Sequence, residues 1–276
     1  MKERYSLLAG LASMLCAASA QAAEKNACGQ IVSATMQTQR LADIHEINNV
    51  ASAHEYYHSA WLHKDEIENA WSKREDISWT NNTDRYANRK SFWRFYVDNL
   101  KTFPSKGTLA YHMLTTPIIE VAGDGKTAKA IYMSFGNVAG PGMNGGPAQA
   151  QWTEEKYGMD FIKEDGHWKI WHLRTFVEYY FNVGGMPTNP NDNMAAMETK
   201  AMKDGKTVNL AELGGDHKDG NGPLKATVQQ EAGASFAMAQ PDEKKIFYEG
   251  YSLDRDPPYT PPIPKAYCTF SQIKPY

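Results

Sequence analysis

The chain has 276 residues, of which 42% are hydrophobic and 12% aromatic, and its formal net charge at pH 7 is −3. This length and apolar content suffice for one full core, with or without a large appendage. The weak negative charge and the lack of any basic run argue against a nucleic-acid partner. No apolar stretch of the mature chain is long enough to span a membrane.

The N-terminus has the pattern of an export signal. Lys2 and Arg4 precede a short apolar run over residues 7–18, and an Ala-x-Ala cleavage site ends at Ala22. A positive start, a short apolar stretch and small residues at the cleavage site define a secretory signal peptide. We therefore predict a signal peptide over residues 1–22 and a periplasmic or secreted protein.

Two cysteines remain after this cleavage, Cys28 and Cys268, because Cys16 leaves with the signal peptide. In an oxidising compartment a pair of cysteines is expected to form a disulfide. Such a bond would tie together the two ends of the mature chain. Two unpaired thiols are the alternative.

The first half of the chain has helical patterns. Apolar residues recur at helical spacing over Leu41–Trp71, where Lys64 begins a second short helix. Residues 77–79 have the pattern of a short strand. A second amphipathic helix is predicted over Arg89–Phe103, and Pro104 ends it.

Long strands follow. Strands are predicted over Thr108–Val121 and Thr127–Asn137, and a hairpin over Glu154–Glu178 turns at Asp165-Gly166. Between the second strand and the hairpin, Gly140–Gly146 is rich in glycine. It lacks the Gly-Lys-Ser/Thr ending of a phosphate-binding loop, so we interpret it as a flexible loop or lid.

The composition changes after the hairpin. Residues 184–223 are rich in Gly, Asn, Pro and Met, with a possible helix at Ala226–Met238 and a proline-rich segment at residues 256–264. A compact domain rarely contains so long a stretch without regular structure. The predicted organisation is therefore an extension over residues 23–40, a domain over residues 41–183 and an extended C-terminal arm over residues 184–276.

The order of these elements resembles the SnoaL-like division of the nuclear transport factor 2 superfamily. The resemblance is clearest in two segments. His45–Trp71 corresponds to the long first helix and its continuation, and GMDFIKEDGHWKIWHLR corresponds to the last hairpin of the domain. The resemblance covers roughly Leu41–Phe181. It implies an α+β fold in which a cone-shaped, curved antiparallel sheet and capping helices surround a blind pocket, here with a long C-terminal arm added. Members include cofactor-free dehydratases, isomerases, cyclases and lyases, and also binding modules, because this fold does not fix function.

The helix contains His54-Glu55-x-x-His58, a formal zinc-hydrolase motif in which two imidazoles share one helix face. The longer form of the motif requires Gly and a third His further on, and Trp61 and Lys64 occupy those positions. We therefore predict no metal here. A zinc hydrolase remains the third hypothesis for function.

The resemblance extends to scytalone dehydratase, in which a histidine on an early strand acts as the base. The segment Gly107–His112 resembles the strand that bears this histidine, so the resemblance implies that His112 is the base here. Tyr132 falls near a second polar strand position of that enzyme. Aromatic and acidic positions of its first helix correspond here to Tyr57, His58 and Trp61. A neutral His can exchange a proton near pH 7, and a Tyr hydroxyl can hold an oxyanion.

Further polar and aromatic groups are candidates for the same pocket. Asp160 is expected to orient a pocket histidine, and Arg174 to bind a carboxylate or phenolate beside His172. Buried ion pairing is the structural alternative for these three. Trp61 and Tyr111 are expected to sandwich an aromatic ring, with Trp93 also in the wall.

These features together favour a cofactor-independent lyase that acts on an aromatic or phenolic small molecule. Elimination would release water or formaldehyde, as in the lyases of this superfamily that act on lignin-derived diarylpropanes. A periplasmic binding or scaffold protein with the same pocket is the alternative. The apolar residues of the arm predict a homo-oligomer, a dimer or trimer, with the arm in its interface.

Overall fold

The centre of the fold is a curled sheet, seen in a computed structural model that describes residues 24–100, 106–140, 149–189, 192–205 and 239–276. The strands are β1 (Ser78–Thr80), β2 (Asp84–Tyr86), β3 (Leu109–Val121), β4 (Thr127–Gly140), β5 (Gln149–Glu164), β6 (His167–Asn182) and β7 (Glu243–Lys244). Their order in the sheet is β3-β4-β5-β6-β1-β2-β7. All neighbours are antiparallel except β1 and β6. The predicted α+β class and curved antiparallel sheet are confirmed.

The predicted hairpin is present as β5 and β6. Asp165 and Gly166 join the strands with φ angles of 51° and 84°. Two successive left-handed residues are what a type I′ turn requires, and Gly takes this conformation without strain. The register shifts at Asp160/Phe161 and Glu154/Glu155, where bulges bend the strand.

The helices pack on one side of the sheet and differ from the prediction at their ends. Helix α1 covers Ala34–Ser59 and begins at an N-cap, where Ser33 accepts a hydrogen bond from the Met36 amide. It ends before Trp61, whose φ of 58° interrupts the helix. Helix α2 then covers His63–Asn69. The Leu41–Trp71 pattern is therefore two helices separated by a sharp break, and the second begins next to the predicted start at Lys64.

The second predicted helix is also divided. Helix α3 covers Arg89–Trp93 after the N-cap Asn88, and residues Arg94–Asn99 continue it as one stretch of π-helix. Helix α4, Met194–Lys203, lies in the predicted arm. The predicted signal peptide, most of the glycine-rich loop and the predicted helix at residues 226–238 lie outside the described residues. In the described part of the chain, no helix is both long and apolar enough to cross a membrane.

The core lies between α1 and one face of the sheet, called here the helix face. Successive strand residues point to opposite faces, so alternate residues of β4, β5 and β6 meet the helices. These buried residues include Ala130, Met159, Phe161, Ile170 and Leu173. Ile47 and Ala51 of α1 pack against them and are fully buried. Full burial of each large apolar side chain contributes about 1.5–3 kcal/mol.

The opposite face, called here the tail face, is covered in part by the C-terminal segment 239–276, which packs mainly on β5 and β6. The Phe247 carbonyl accepts a hydrogen bond from Arg174, and the Tyr251 amide donates to the Glu178 carbonyl. At Gly158 a Cβ atom would lie 2.7 Å from the Tyr276 ring, so only glycine allows this contact. This described part of the arm therefore packs on its own chain.

The predicted disulfide between Cys28 and Cys268 is confirmed, with the Cα atoms 4.7 Å apart. It joins the segment that precedes α1 to the C-terminal segment. Main-chain hydrogen bonds from Gly123 to Tyr267 and from Asp124 to Cys268 fasten the same region to the β3–β4 turn. The two ends of the described chain are thus anchored at one point.

Candidate functional site

A cavity of about 460 Å³ opens between α1 and the edge strand β3. Ser52, Glu55, Tyr56 and Ser59 of the helix form one wall, and Tyr111–Leu114 of the strand form the other. Two titratable groups, Glu55 and His112, face each other across this opening. Its size and its mixture of apolar and isolated polar groups are those of a small-molecule site.

Glu55 is the acidic group of the cavity wall and is only 8% exposed. Neither of its carboxyl oxygens has a hydrogen bond of normal geometry. Burial raises the pKa of Glu55 to about 7, and the opposing effects of His54 and His112 are smaller. Glu55 can therefore give or take a proton near neutral pH.

His112 reaches the helix face from β3. Its Nδ1 lies 3.5 Å from Oε1 of Glu155, which in turn accepts a hydrogen bond of 2.9 Å from Thr153. The cross-strand partner of His112 is Gly136, where a Cβ atom would lie 3.0 Å from His112 Nδ1. A larger residue at this position would displace the imidazole. The sequence-predicted base is thus present in the cavity, next to a buried carboxylate.

A buried polar network lies behind the cavity and is centred on Glu66 of α2. Its Oε1 receives His54 Nδ1 at 2.6 Å and Trp71 Nε1 at 2.9 Å, and its Oε2 lies 3.4 Å from His63 Nδ1. Burial alone would raise the pKa of Glu66, but the attraction and hydrogen bond of His54, the hydrogen bond of His63 and the nearby His58 together lower the pKa to about 2. Burial alone would lower the pKa of His54, but Glu66 and Glu55 raise it to about 9. Glu66 and His54 therefore form a buried ion pair.

His58 occupies the space between this network and His112. Its Nδ1 lies 2.7 Å from the Tyr96 hydroxyl, and its ring centroid is 5.1 Å from that of His63 and 5.4 Å from that of His112. Burial and the neighbouring His112 hold the pKa of His58 well below its ordinary value. Burial raises the pKa of Tyr96 well above its ordinary range. Both groups are neutral at physiological pH.

Among the described residues, His58, His63 and Glu66 bring one potential metal-ligand atom each within 4.8 Å of one another. Both Glu66 oxygens already meet donors from three side chains, and His58 Nδ1 is bonded to Tyr96. The His54–His58 motif pair is divided, because His54 turns to Glu66 and His58 turns to Tyr96. We keep the prediction that the His54/His58 pair holds no catalytic zinc.

The other predicted residues of the helix face lie behind the cavity wall. Tyr132 is 2% exposed and its hydroxyl has no hydrogen bond. Trp61 stacks near His58 with a centroid separation of 6.5 Å. Trp93 packs against the core, and Tyr57 is half-buried on α1. Of the predicted binding residues, only Tyr111 is in the cavity wall.

Asp160, His172 and Arg174 require a correction. They lie on the tail face, where Asp160 pairs with Lys129 and receives His172 Nδ1 at 3.0 Å. Arg174 donates to the Phe247 carbonyl at 2.7 Å. Asp160 does orient a histidine, as predicted, but these residues cannot share a pocket with His112. The alternation along β6 does not itself show which face meets the helices.

Sequence reasoning missed Glu55, Glu66 and His63 as site residues. A signal was present, since Ala51, Glu55 and His58 recur at helical spacing and share a face of α1. The His-Glu-x-x-His pattern directed attention to its histidines as metal ligands. Its glutamate is the residue that the fold places in the cavity.

Residues 39–174 match the sequence family described as the SnoaL-like domain. No protein of curated function matches the chain. Solved structures with a similar fold include the hexachlorocyclohexane dehydrochlorinase LinA-type3 from Novosphingobium barchaimii, at 16% identity over 54% of this chain and 96% of that chain, with a TM-score of 0.43. A provisionally assigned scytalone dehydratase from Novosphingobium aromaticivorans is 13% identical over 55% of this chain and 94% of its own, also with a TM-score of 0.43.

Proposed function

Since residues 39–174 form a SnoaL-like domain, we propose that the protein is a cofactor-independent lyase that acts on an aromatic or phenolic small molecule. The observation that carries this proposal is the presence of Glu55 and His112 on opposite walls of one cavity. A pair of proton-transfer groups at opposite sides of a bound molecule is what an acid–base elimination needs.

In the proposed reaction His112 removes a proton from a phenol or from an activated C–H or O–H group. The electron pair released moves into a new double bond, and the bond to the leaving group breaks. For loss of water, protonated Glu55 donates its proton to the departing oxygen. For loss of formaldehyde, deprotonation of a hydroxymethyl group forms the C=O bond as the C–C bond breaks, and Glu55 protonates the carbon or quinone oxygen that receives the electrons.

The aromatic substrate class is supported by the rims of the cavity. Tyr56 is 80% exposed on the helix wall, and Tyr111 is 49% exposed on the strand wall. These rings offer stacking surface to a flat ligand. In the same proposal Tyr132, His58 and Tyr57 relay protons or hold an oxyanion, and Trp61 and Trp93 support the inner wall.

The proposed location is periplasmic or secreted. The disulfide between Cys28 and Cys268 is of the kind that forms and persists in an oxidising compartment. Together with the proposed signal peptide over residues 1–22, it supports export. Cell fractions probed with an antibody against the protein test this location, and we expect the protein in the periplasmic or secreted fraction. Detection in the cytosolic fraction only would refute it.

The test of the proposed activity is turnover of a panel of phenolic diaryl compounds with aliphatic hydroxyl groups. Products and released formaldehyde are measured together, with thermal stabilisation of the protein recorded for each compound. We expect turnover without an added cofactor and unchanged after dialysis against a chelator. Stabilisation without any turnover would support the binding-protein alternative instead, and loss of activity on chelation would support a zinc hydrolase.

A further inference from the structure

Carboxyl and imidazole groups alternate in a line from the core to the cavity. From the inside outward they are Glu66, His54, Glu55, His112 and Glu155. His54 Nδ1 lies 2.6 Å from Glu66, and its Nε2 lies 3.5 Å from Glu55 Oε1. Beyond the cavity, His112 Nδ1 lies 3.5 Å from Glu155. Only Glu55 and His112 in this line are in the cavity wall.

The position of His54 determines its charge state. Both ring nitrogens face a carboxyl oxygen, one on Glu66 and one on Glu55. A neutral imidazole has one N–H and can present it to only one of them, whereas an imidazolium presents an N–H to each. With 3% exposure, His54 has no room to turn toward water instead. The geometry therefore favours the cationic form of His54 beside Glu55.

Glu66 is fixed where it can sustain this cation. It is fully buried on α2, where Trp71 donates to the same oxygen that His54 contacts, Oε1, and His63 faces the other oxygen, Oε2. The indole N–H is only a donor, so it requires an acceptor oxygen on Glu66. Glu66 itself is not in the cavity wall and cannot touch a ligand there.

We propose that Glu66 is a positioning residue that acts on Glu55 through His54, by holding His54 as an imidazolium whose second N–H faces the cavity carboxyl. Its effect is to let Glu55 become an anion as well as an acid. A buried carboxyl without a nearby cation would stay protonated over the whole physiological range. The inference deepens the proposed function, since it explains how the acid of the cavity can be restored after each turnover.

Charged groups from several elements surround Glu55. His54 and His112 of β3 lower the pKa of Glu55, whereas burial, Glu155 of β5 and Glu66 raise it. The Tyr157 hydroxyl of β5 also interacts with Glu55. The remaining ring neighbours of His54 are His58, Trp71 and Tyr157. Replacement of Glu66 by a neutral residue should leave His54 neutral, so Glu55 loses the cation beside it as well as the more distant Glu66 anion. Because the cation is the nearer charge, the pKa of Glu55 should rise.

The test is a direct titration of Glu55 in the purified full-length protein. Glutamate side chains are labelled with ¹³C at the carboxyl carbon, and the Glu55 signal is assigned by its loss in Glu55→Gln. In the wild type we expect a midpoint near pH 7. In Glu66→Gln, which keeps the shape and the acceptor for Trp71, the midpoint should rise by roughly one unit, the low end of the effect of a nearby charge.

Two further variants separate positioning from a structural role. Trp71→Phe removes one hydrogen bond to Glu66 but leaves the charge of His54, so the Glu55 midpoint should stay in place even if stability falls. His54→Gln removes the cation directly and should move the midpoint upward, as Glu66→Gln does. A midpoint that is unchanged in both Glu66→Gln and His54→Gln, or that moves equally in Trp71→Phe, would overturn the proposal.

A measurement on the wild type covers the case in which the buried variants do not fold. The ¹⁵N shifts of the His54 ring should show both nitrogens protonated at pH 8, and a neutral ring there would refute the proposal. None of these readouts needs a substrate. If the protein turned over no phenolic compound, the proposed function would be wrong and this coupling would still stand. If turnover were observed but the titrations failed, the coupling alone would be wrong.

Discussion

The two faces of the sheet carry the same kinds of ionisable side chains, but the faces differ in how these groups are paired. On the tail face, Asp160 binds Lys129 through one oxygen and accepts from His172 and from the Tyr276 main-chain N–H through the other, both at 3.0 Å. Lys129 also donates to the Lys274 carbonyl. Each charge of this buried cluster has a partner inside the protein.

On the helix face, several buried polar atoms lack a hydrogen bond. They include both oxygens of Glu55, Nε2 of His63, Nδ1 of His112 and the hydroxyls of Tyr132 and Ser134. The tail face also has an atom of this kind, since Nε of Arg174 is buried without a hydrogen bond. Buried polar groups are nearly always satisfied in folded proteins, so the group of exceptions on the helix face needs an explanation. Here the exceptions include the two titratable groups of the cavity wall, where a ligand can supply the partners.

This contrast shows that a histidine beside a carboxylate does not by itself identify a site. In both the His172–Asp160 and the His112–Glu155 pair, a histidine lies beside a buried carboxylate. They differ in access, since the first is covered by the C-terminal segment and the second opens on a cavity. Function is therefore expected on the helix face and stability on the tail face.

The largest expected effect is that of His112→Ala on turnover. Loss of a general base costs about 100- to 10,000-fold in rate, while binding and the fold should persist because the base acts mainly in the transition state. Tyr132→Phe should cost less, since it removes one hydroxyl only. The matched control is His172→Ala, which should leave turnover unchanged. Near-normal turnover in His112→Ala would reject the base assignment and move the search to His58 and Glu55.

The second prediction concerns the buried ion pair between Asp160 and Lys129 on the tail face. Asp160→Asn leaves Lys129 buried without its counter-charge, and removal of one partner of a buried pair typically costs about 3–5 kcal/mol. Denaturant unfolding should show this loss, with turnover of the folded protein unchanged. Asp160→Asn combined with Lys129→Met removes both charges and should recover most of the stability. A catalytic defect in the single variant at full stability would return Asp160 to the site.

The third prediction concerns assembly, which we propose to be a homo-oligomer. Met133 and Phe135 lie two residues apart on the tail-face side of β4, where they are 38% and 40% exposed. Adjacent exposed apolar residues of this kind are typical of protein interfaces. Phe135→Glu should therefore dissociate the oligomer in a light-scattering measurement of mass. Leu253→Glu, at an exposed apolar position of the arm, tests the competing prediction that the arm forms the interface. A monomeric wild type would refute both.

The smallest expected effect is a pH dependence of stability from the His54–Glu66 pair. The pKa of His54 is raised to about 9, so its contribution is complete below 6.5 and is lost as the pH rises through 9. The pKa of Glu66 is lowered to about 2, so its contribution is complete above 4.5 and is lost as the pH falls through 2. The stability difference between wild type and His54→Gln/Glu66→Gln should be greatest from pH 4.5 to 6.5. A difference that is constant with pH would contradict the ion pair.

Much of the fold could be predicted because its signals are local. Alternation and the Asp165-Gly166 turn determine the hairpin, and two mature cysteines determine the disulfide. The break at Trp61 was not predictable in the same way, because no Gly or Pro marks it and tertiary packing holds its left-handed backbone. The face on which His172 lies depends on which side the helices cover, which is a property of the whole sheet.

The candidate site was predictable only in part. His112 was predicted through the resemblance of its strand, and it lies in the cavity wall beside Tyr111. Glu55 was overlooked because its role depends on burial and on neighbours from three other elements. The helical spacing of Ala51, Glu55 and His58 shows that they share a face of α1, but the raised pKa of Glu55 arises from tertiary contacts that the spacing does not reveal.

The most direct measurement compares Glu55→Gln, His112→Gln and the double variant in single-turnover kinetics with the best substrate of the phenolic panel. If the two groups act as one acid–base pair across the cavity, their effects are strongly non-additive. We expect the double variant to be hardly slower than the slower single variant. Rate losses that multiply in the double variant, or a single variant with wild-type turnover, would contradict a shared site on the helix face.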